Sequence, residues 1–358
     1  MTQNSPFSIT RGRQQVKRAS LEAMDLTLRE SIIALFLAAL PSVLKVRIYR
    51  MAGARIGRHV SMGFGSVVMA DNFSKIHIGQ FTVIRNFTFI ICREVNIGAY
   101  VHIPMHVWIW GSGTLTLNKK CTLGTHVKID LRRNNLYCGK YVGIPAGCMI
   151  YTHSHFFPYT QGWIHSLKDV ILEDYVFLSM YTVVLPGVRI GKNTVIGVGS
   201  VVNRSIPQNS FAAGRPARVI SGIENLKTEV NSDELRRRMI KIAKDMVDYF
   251  GYRFISEDSI SGHYVITFER STFTSKKIWQ IIVTDADTLT PSLLDIHGGG
   301  GNKILFSSSR VPRDVARDVN MWFDIKNQEC CNLPSKFAID IWYFLRNTWM
   351  EICDVRNP

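Results

Sequence analysis

The chain has 358 residues, 46% of them hydrophobic, and its 43 Lys and Arg against 28 Asp and Glu give a formal net charge of +15. That length and apolar share allow a sizeable core and two or three structural units, and exclude a chain that is disordered throughout. The positive surplus favours anionic partners such as phosphorylated cofactors or phospholipid head groups; with no recognised binding module and no basic stretch regularly interleaved with aromatics, nucleic acid is not an expected partner.

The first twenty residues, MTQNSPFSITRGRQQVKRAS, are basic, are not followed by a signal-peptide core, and are expected to be flexible. Residues 21–55 read as a helical segment. Within it Ser31 to Leu44 is apolar, well short of the roughly 20 residues a spanning helix needs, and interrupted by Pro41. It is expected to pack on the end of the next unit, with a peripheral contact to an anionic membrane through Arg47, Arg50 and Arg55 as a further expectation.

From Ile56 to Val202 an aliphatic or otherwise apolar residue returns every sixth position, in seven runs of three. The runs read Ile56, Met62, Val68; Ile78, Ile84, Ile90; Ile97, Ile103, Ile109; Leu117, Leu123, Ile129; Cys138, Ile144, Ile150; Leu172, Leu178, Val184; and Ile190, Ile196, Val202. Gly often follows the column, as at Gly57, Gly79 and Gly124, and a small or β-branched residue stands four positions on, as at Ser66, Thr82 and Val127. A period of six built of short strands is a solenoid signature, since one unit cannot bury its own apolar face and must stack. The glycines are expected to permit the tight corner backbone. Strict alternation, as in a β-sandwich, would not keep a triplet register through seven restarts.

The runs restart after extra residues that leave from one corner, the longest being the loop 151–171, whose YTHSHFFPYTQGWIHSLKDV core is rich in His and aromatics. A long loop on a rigid scaffold is an expected place for a site. The seven cysteines include no C-x-x-C pair; Cys138 and Cys148 fall on the repeat and read as small core residues, and the odd count favours a reducing compartment.

Beyond residue 222 the rhythm stops and residues 223–358 read as a small α+β unit. Asn231 with Glu234 predicts a capped helix carrying the stripe Leu235, Met239, Ile242, Met246 and Phe250, with Gly251 as its stop. Strands are predicted at His263 to Glu269, Ile278 to Val283, Lys303 to Phe306 and Met321 to Ile325, with a second helix near Lys336 to Arg346. The Gly298 to Gly301 run reads as a turn, and Trp322, Trp342 and Trp349 as core or interface residues.

The segment from Leu172, with Pro186 to Val188, Ile190 to Gly191, Ile196 to Val202, Ile206 to Asn209 and Ala212 to Ile220, carries the series PGV-x-IG, IG-x-GSVV, IP-x-N and AAG-x-PA-x-VI. It resembles the C-terminal coils of the hexapeptide-repeat acetyltransferases, and with the upstream RIYRMAGARIG and the appended unit it looks like the bacterial surface-polysaccharide O-acetyltransferases. The resemblance implies a mainly β fold, a left-handed parallel β-helix of about seven coils over residues 56–222. It implies acetyl-CoA as donor, a saccharide acceptor, a homotrimer with sites between subunits, no metal, and a cytoplasmic location, associated with the inner face of the membrane. It also implies a loop histidine as general base, mapping to His153 or His155, which deprotonates a sugar hydroxyl that is otherwise a poor nucleophile. The donor would run along Ser179, Met180, Val198 and Gly199, with its phosphates at Arg204, Arg215 and Arg218. Two departures stand out: Ser221 where relatives carry a basic residue, and bulky Met180 and Tyr181 where many are small or polar. Phe156, Phe157, Tyr159, Trp163 and His165 suit either stacking on a sugar ring or packing against a neighbouring subunit.

Two other readings use the same scaffold. His106 and His126 share a repeat position, roughly 4.8 Å apart on successive coils, so a zinc hydratase resembling the γ-class carbonic anhydrases is one. The other is a non-catalytic solenoid recruiting partners in envelope assembly.

Overall fold

The computed structural model describes residues 26–154, 159–163, 165–260, 263–271, 276–284 and 302–308, with shorter stretches up to residue 355. The chain divides into two compact units, one ending at Lys227 and the other beginning at Thr228.

The first unit is a stack of parallel coils. Its strands form three sheets, of seven, nine and seven strands, and each coil contributes one strand to each sheet. The sixfold column explains the register. In the first sheet Ile56 pairs with Ile78, Ile97 with Leu117, Leu117 with Cys138, and Cys138 with Leu172. In the third, Val68, Ile90, Ile109, Ile129, Ile150, Val184 and Val202 form one continuous ladder. Every column residue but Ile56, at the end of the stack, is buried, and they join a single apolar core. Polar residues four positions on are buried too, with their hydroxyls bonded to backbone: Thr82 donates to Gly98 O, Thr88 to Pro104 O and Ser200 to Gly197 O. A buried hydroxyl is costly only when it lacks a partner.

The corners give one expectation its physical reason. The glycines after the column do not take up left-handed backbone. At Gly124 an added Cβ would collide with the backbone of Pro145 and Ala146, and at Gly57 with that of Gln80, so glycine is required by the close approach of the next coil. The left-handed turn falls two residues later, on His59, Phe81, Tyr100, Lys120, Tyr141 and Tyr175, with φ between 54° and 66°. Such a conformation costs a non-glycine residue roughly 1–2 kcal/mol. Stacking offsets it, since aromatic pairs are worth about 0.5–1.5 kcal/mol. His59 lies 4.8 Å from Phe81, Phe81 5.2 Å from Tyr100, and Tyr141 4.7 Å from Tyr175 between ring centroids.

Two helices close the start of the stack. The apolar stretch is not one helix but two, α1 (Leu28–Ala39) and α2 (Ser42–Met51), divided at Pro41, which is the N-cap of α2. Thr27 and Glu30 form a capping box on α1. Helix α2 buries Lys45 and Tyr49 against the first coil. Lys45 Nζ donates to Gly63 O at 2.7 Å, Ser66 O at 2.9 Å and Ser66 Oγ at 3.3 Å. Tyr49 Oη donates to Val68 O and accepts from Val68 N. These side chains satisfy backbone groups that have no earlier coil to pair with.

The second unit is built on α3 (Ser232–Tyr249) and a seven-stranded sheet whose strands lie in sequence order. Asn231 caps α3 by accepting from Glu234 N at 2.8 Å, Gly251 at φ 62° follows its end, and Met239, Ile242 and Met246 are buried. Asn231→Ala is expected to cost about 1 kcal/mol, read as a lowered urea midpoint for this unit. Strands His263–Ser271, Lys276–Thr284, Asn302–Ser307 and Met321–Asp324 match the sequence reading within a few residues, and Trp322 is buried as expected. The strand Arg253–Ile260, antiparallel to the first of these, was not legible because its sequence RFISEDSI lacks apolar alternation. Gly298 to Gly301, Trp342, Trp349 and the basic first twenty residues lie outside the described residues, as does the predicted second helix apart from Ile341, which is helical and buried.

Candidate active site

Insertions leave the stack after strands of the third sheet, namely Val67–Met69, Trp108–Trp110, Lys128–Asp130 and Met149–Tyr151. The long one begins at once with a buried Thr152, whose N and Oγ1 both donate to Asp130 O at 3.1 Å. Next, His153–Ser154 pairs antiparallel with Ser166–Leu167, so the base of the loop is a short ribbon that fixes the backbone at His153. Thr152 O also accepts from Lys168 N.

This places His153 beside Asp130 of the preceding coil. Nδ1 stands 3.6 Å from Asp130 Oδ1, and both side chains are nearly buried, 13% and 8% exposed. The distance is that of an ion pair rather than a hydrogen bond. The same Oδ1 accepts from Arg132 N at 3.2 Å, which holds the carboxylate in place. Tyr151 meets the imidazole edge-on, with centroids 6.3 Å apart. A carboxylate facing Nδ1 leaves Nε2 as the nitrogen that can accept a proton.

Asp130 was missed in the sequence. The signal was present, because Asp130 and Tyr151 both follow a column residue, one coil apart, and the register pairs them. His155 and Phe156, together with Phe157, lie outside the described residues. Tyr159 begins a short turn, Tyr159–Gln161, and Trp163 and His165 are exposed farther along the loop.

The proposed donor residues gather at a different corner, between the second and third sheets. Ser179 N donates to Ile196 O, Gly199 N to Met180 O, and Arg215 Nε to Gly199 O, so Met180, Gly199 and Arg215 meet there. Met180, Tyr181 and Val198 project outward, 49%, 64% and 66% exposed. Arg215 sits at the tip of the hairpin Ser210–Gly214 and Ala217–Gly222 that ends the second sheet. Arg218 donates to Ala217 O, and no hydrogen bond among the described residues ties Arg204 to this corner. Within one chain a third-sheet strand separates this corner from the His153 corner, six residues or roughly 20 Å.

His106 and His126 stack in the corner ladder, their ring centroids 5.2 Å apart and tilted by 40°. Among the described residues no three His, Cys, Asp or Glu side chains gather as a metal site would require. Cys92, Cys121, Cys138 and Cys148 are buried and unbridged, and burial pushes the Cys148 thiol up to about 11, which leaves it unreactive.

The bacterial transferase hexapeptide (six repeats) family matches residues 169–204. A Schizosaccharomyces pombe protein whose name assigns it provisionally to the acetyltransferases is 37% identical over 108 residues, 30% of this chain and 50% of its own. The galactoside O-acetyltransferase of Lactococcus lactis is 54% identical over 52 residues, 14% of this chain and 25% of its own. The chain thus spans half or less of these relatives' lengths. Among solved structures, the N-acyltransferase AntD of Bacillus cereus, in complex with dTDP and 3-hydroxybutyryl-CoA, aligns at 14% identity over 58% of this chain and 96% of its own, with a TM-score of 0.37, a likeness that carries no functional argument. Repeat, coil register and relatives together make this a hexapeptide-repeat chain, of the kind found in acetyltransferases.

Proposed function

We propose that the protein is an acyltransferase that moves an acetyl group from acetyl-CoA to a saccharide hydroxyl. The observation that carries this reading is the His153–Asp130 pair, a largely buried imidazole faced by a carboxylate at the mouth of the long loop. The hydroxyl oxygen attacks the thioester carbonyl carbon while His153 Nε2 takes its proton. The C–S bond of the tetrahedral intermediate then breaks, the thiolate leaves, and the imidazolium returns the proton to give free CoA thiol and an acetyl ester. General-base assistance of this kind is typically worth ~10²–10⁴ in rate.

The donor would lie along Ser179, Met180, Val198 and Gly199, where outward Met180 and Val198 offer apolar contact to the pantetheine arm. Arg215, with Arg204 and Arg218 exposed nearby in sequence, offers charge-assisted contact to its phosphates. The donor corner and His153 lie on different edges of one stack. A neighbouring copy would set its donor corner against this chain's dyad, so a homotrimer with sites between subunits is part of the proposal. Trp163 and His165 would contact the saccharide from the loop.

The test is thermal stabilisation by CoA compared with zinc. A ligand that binds only the folded state stabilises by about 2.7 kcal/mol at a hundredfold excess over its dissociation constant. CoA is expected to raise the melting temperature in a saturable way and zinc to leave it unchanged. The reverse order would overturn the donor assignment.

A further inference from the structure

Helix α1 is amphipathic the wrong way round for a helix that only packs on a core. Its outward face carries Leu28, Ile32, Leu35 and Phe36, at spacings of four, three and one, which is a single helical stripe, and these are 79%, 59%, 75% and 56% exposed. Helix α2 adds exposed Val43, Leu44 and Met51, at 66%, 47% and 86%. Neither helix needs this face for packing. The inward sides bury Leu37 on α1 and Lys45, Val46 and Tyr49 on α2. An exposed apolar stripe of this kind marks an interaction site.

Its charge says which kind. Arg29, Arg47, Arg55 and Arg58 are exposed on or beside the two helices, and none of them forms an ion pair among the described residues. Between Leu26 and Arg58 the only acidic residue is Glu30, and it is turned back onto Thr27. Arg11, Arg13, Lys17 and Arg18 precede α1 in the chain, against Glu22 and Asp25 in the same segment. A symmetric contact with a second copy would bring these arginines against their own kind. An anionic bilayer offers both complements at once: acyl chains for the stripe and phosphate for the guanidinium groups.

We infer that α1 and α2 form a docking surface for the anionic face of a lipid bilayer. The helices lie in the interface and do not cross it, since no helix among the described residues is long and apolar enough to span. Side chains of the stripe enter the boundary between head groups and acyl chains, and each nearby basic residue strengthens binding about fivefold. Gly65 N donates to Ala38 O, and α1 packs on strand Val67–Met69, the first of the third sheet. Asp130 lies three strands further along that sheet, so docking holds the face bearing the His153–Asp130 pair ~15 Å from the helices. Docking itself does not depend on the acyl-transfer reading.

The test is flotation of the purified full chain with vesicles of phosphatidylcholine alone or mixed with phosphatidylglycerol, at low and high salt. The variant carries Leu35→Glu and Phe36→Glu, both exposed and outside the proposed catalytic and donor residues, and circular dichroism checks its fold. The wild type is expected to float with the mixed vesicles, less at high salt, and the variant to bind about tenfold or more weakly. A wild type that stays with the dense fraction overturns the proposal. So does a variant that floats equally well, or one whose only change is a smaller assembly in sedimentation, which would assign the face to a second copy.

Discussion

His153→Ala is expected to lower acyl transfer by about 10²–10⁴-fold, the usual worth of a positioned base, while CoA affinity stays within about twofold. The asymmetry follows from geometry. His153 stands at the loop corner with Asp130, whereas Met180, Gly199 and Arg215 meet at another corner of the same stack, so truncating the imidazole removes no donor contact within the chain. The alanine leaves Asp130 with its bond from Arg132 N, so the fold at the corner should hold. Asp130→Asn tests the orienting role. Without the carboxylate the imidazole loses the group that faces Nδ1, so turnover falls while CoA affinity stays as in the wild type. Near-normal turnover of His153→Ala would refute the assignment, and steady-state kinetics with a CoA titration on the same sample read both quantities.

Lys45→Ala is expected to destabilise the coil unit by about 3–5 kcal/mol. Among the described residues the ammonium alone bridges Gly63 O and Ser66 O at the open start of the stack, beside the bonds Ser66 itself makes to Gly63 O, and its stem is fully buried. Alanine leaves the carbonyls without this donor and opens a cavity. Lys45→Met refills the cavity and loses only the bonds, so its cost should be smaller, and urea unfolding of the two variants separates the parts. Burial pulls the Lys45 ammonium down to about 8 from its ordinary 10.5. Between those values the unfolded chain holds the proton that the folded chain has released, so stability rises with pH across this window and falls as pH drops through it. Lys45→Met should remove that slope, and an unchanged slope would show that another group sets it.

Much of the coil architecture could be read from the chain because one position in six decides it. The column residues point inward whatever stands between them, and a parallel stack aligns them with one another. The left-handed corner position was hidden for the opposite reason: His59, Phe81, Lys120 and Asn193 share a backbone conformation without sharing side-chain chemistry. The glycines beside the column were noticed, but sequence alone does not separate a residue needed for space between coils from one needed for its φ. At the site, His153 was legible through the loop and through resemblance to a known family. Asp130 was not, because its partner lies 23 residues away in sequence and adjacent only through the coil register. Arg253–Ile260 shows the limit of periodicity, for its polar residues give no alternating face to detect.

The most direct test of acyl transfer is to incubate the wild-type protein with acetyl-CoA and hydroxyl-bearing saccharides, measuring free CoA thiol and saccharide acetyl ester together. Expected is the appearance of thiol and ester in equal amounts, both dependent on protein and on acceptor. Thiol released without ester, or no thiol above background with any acceptor, would contradict it.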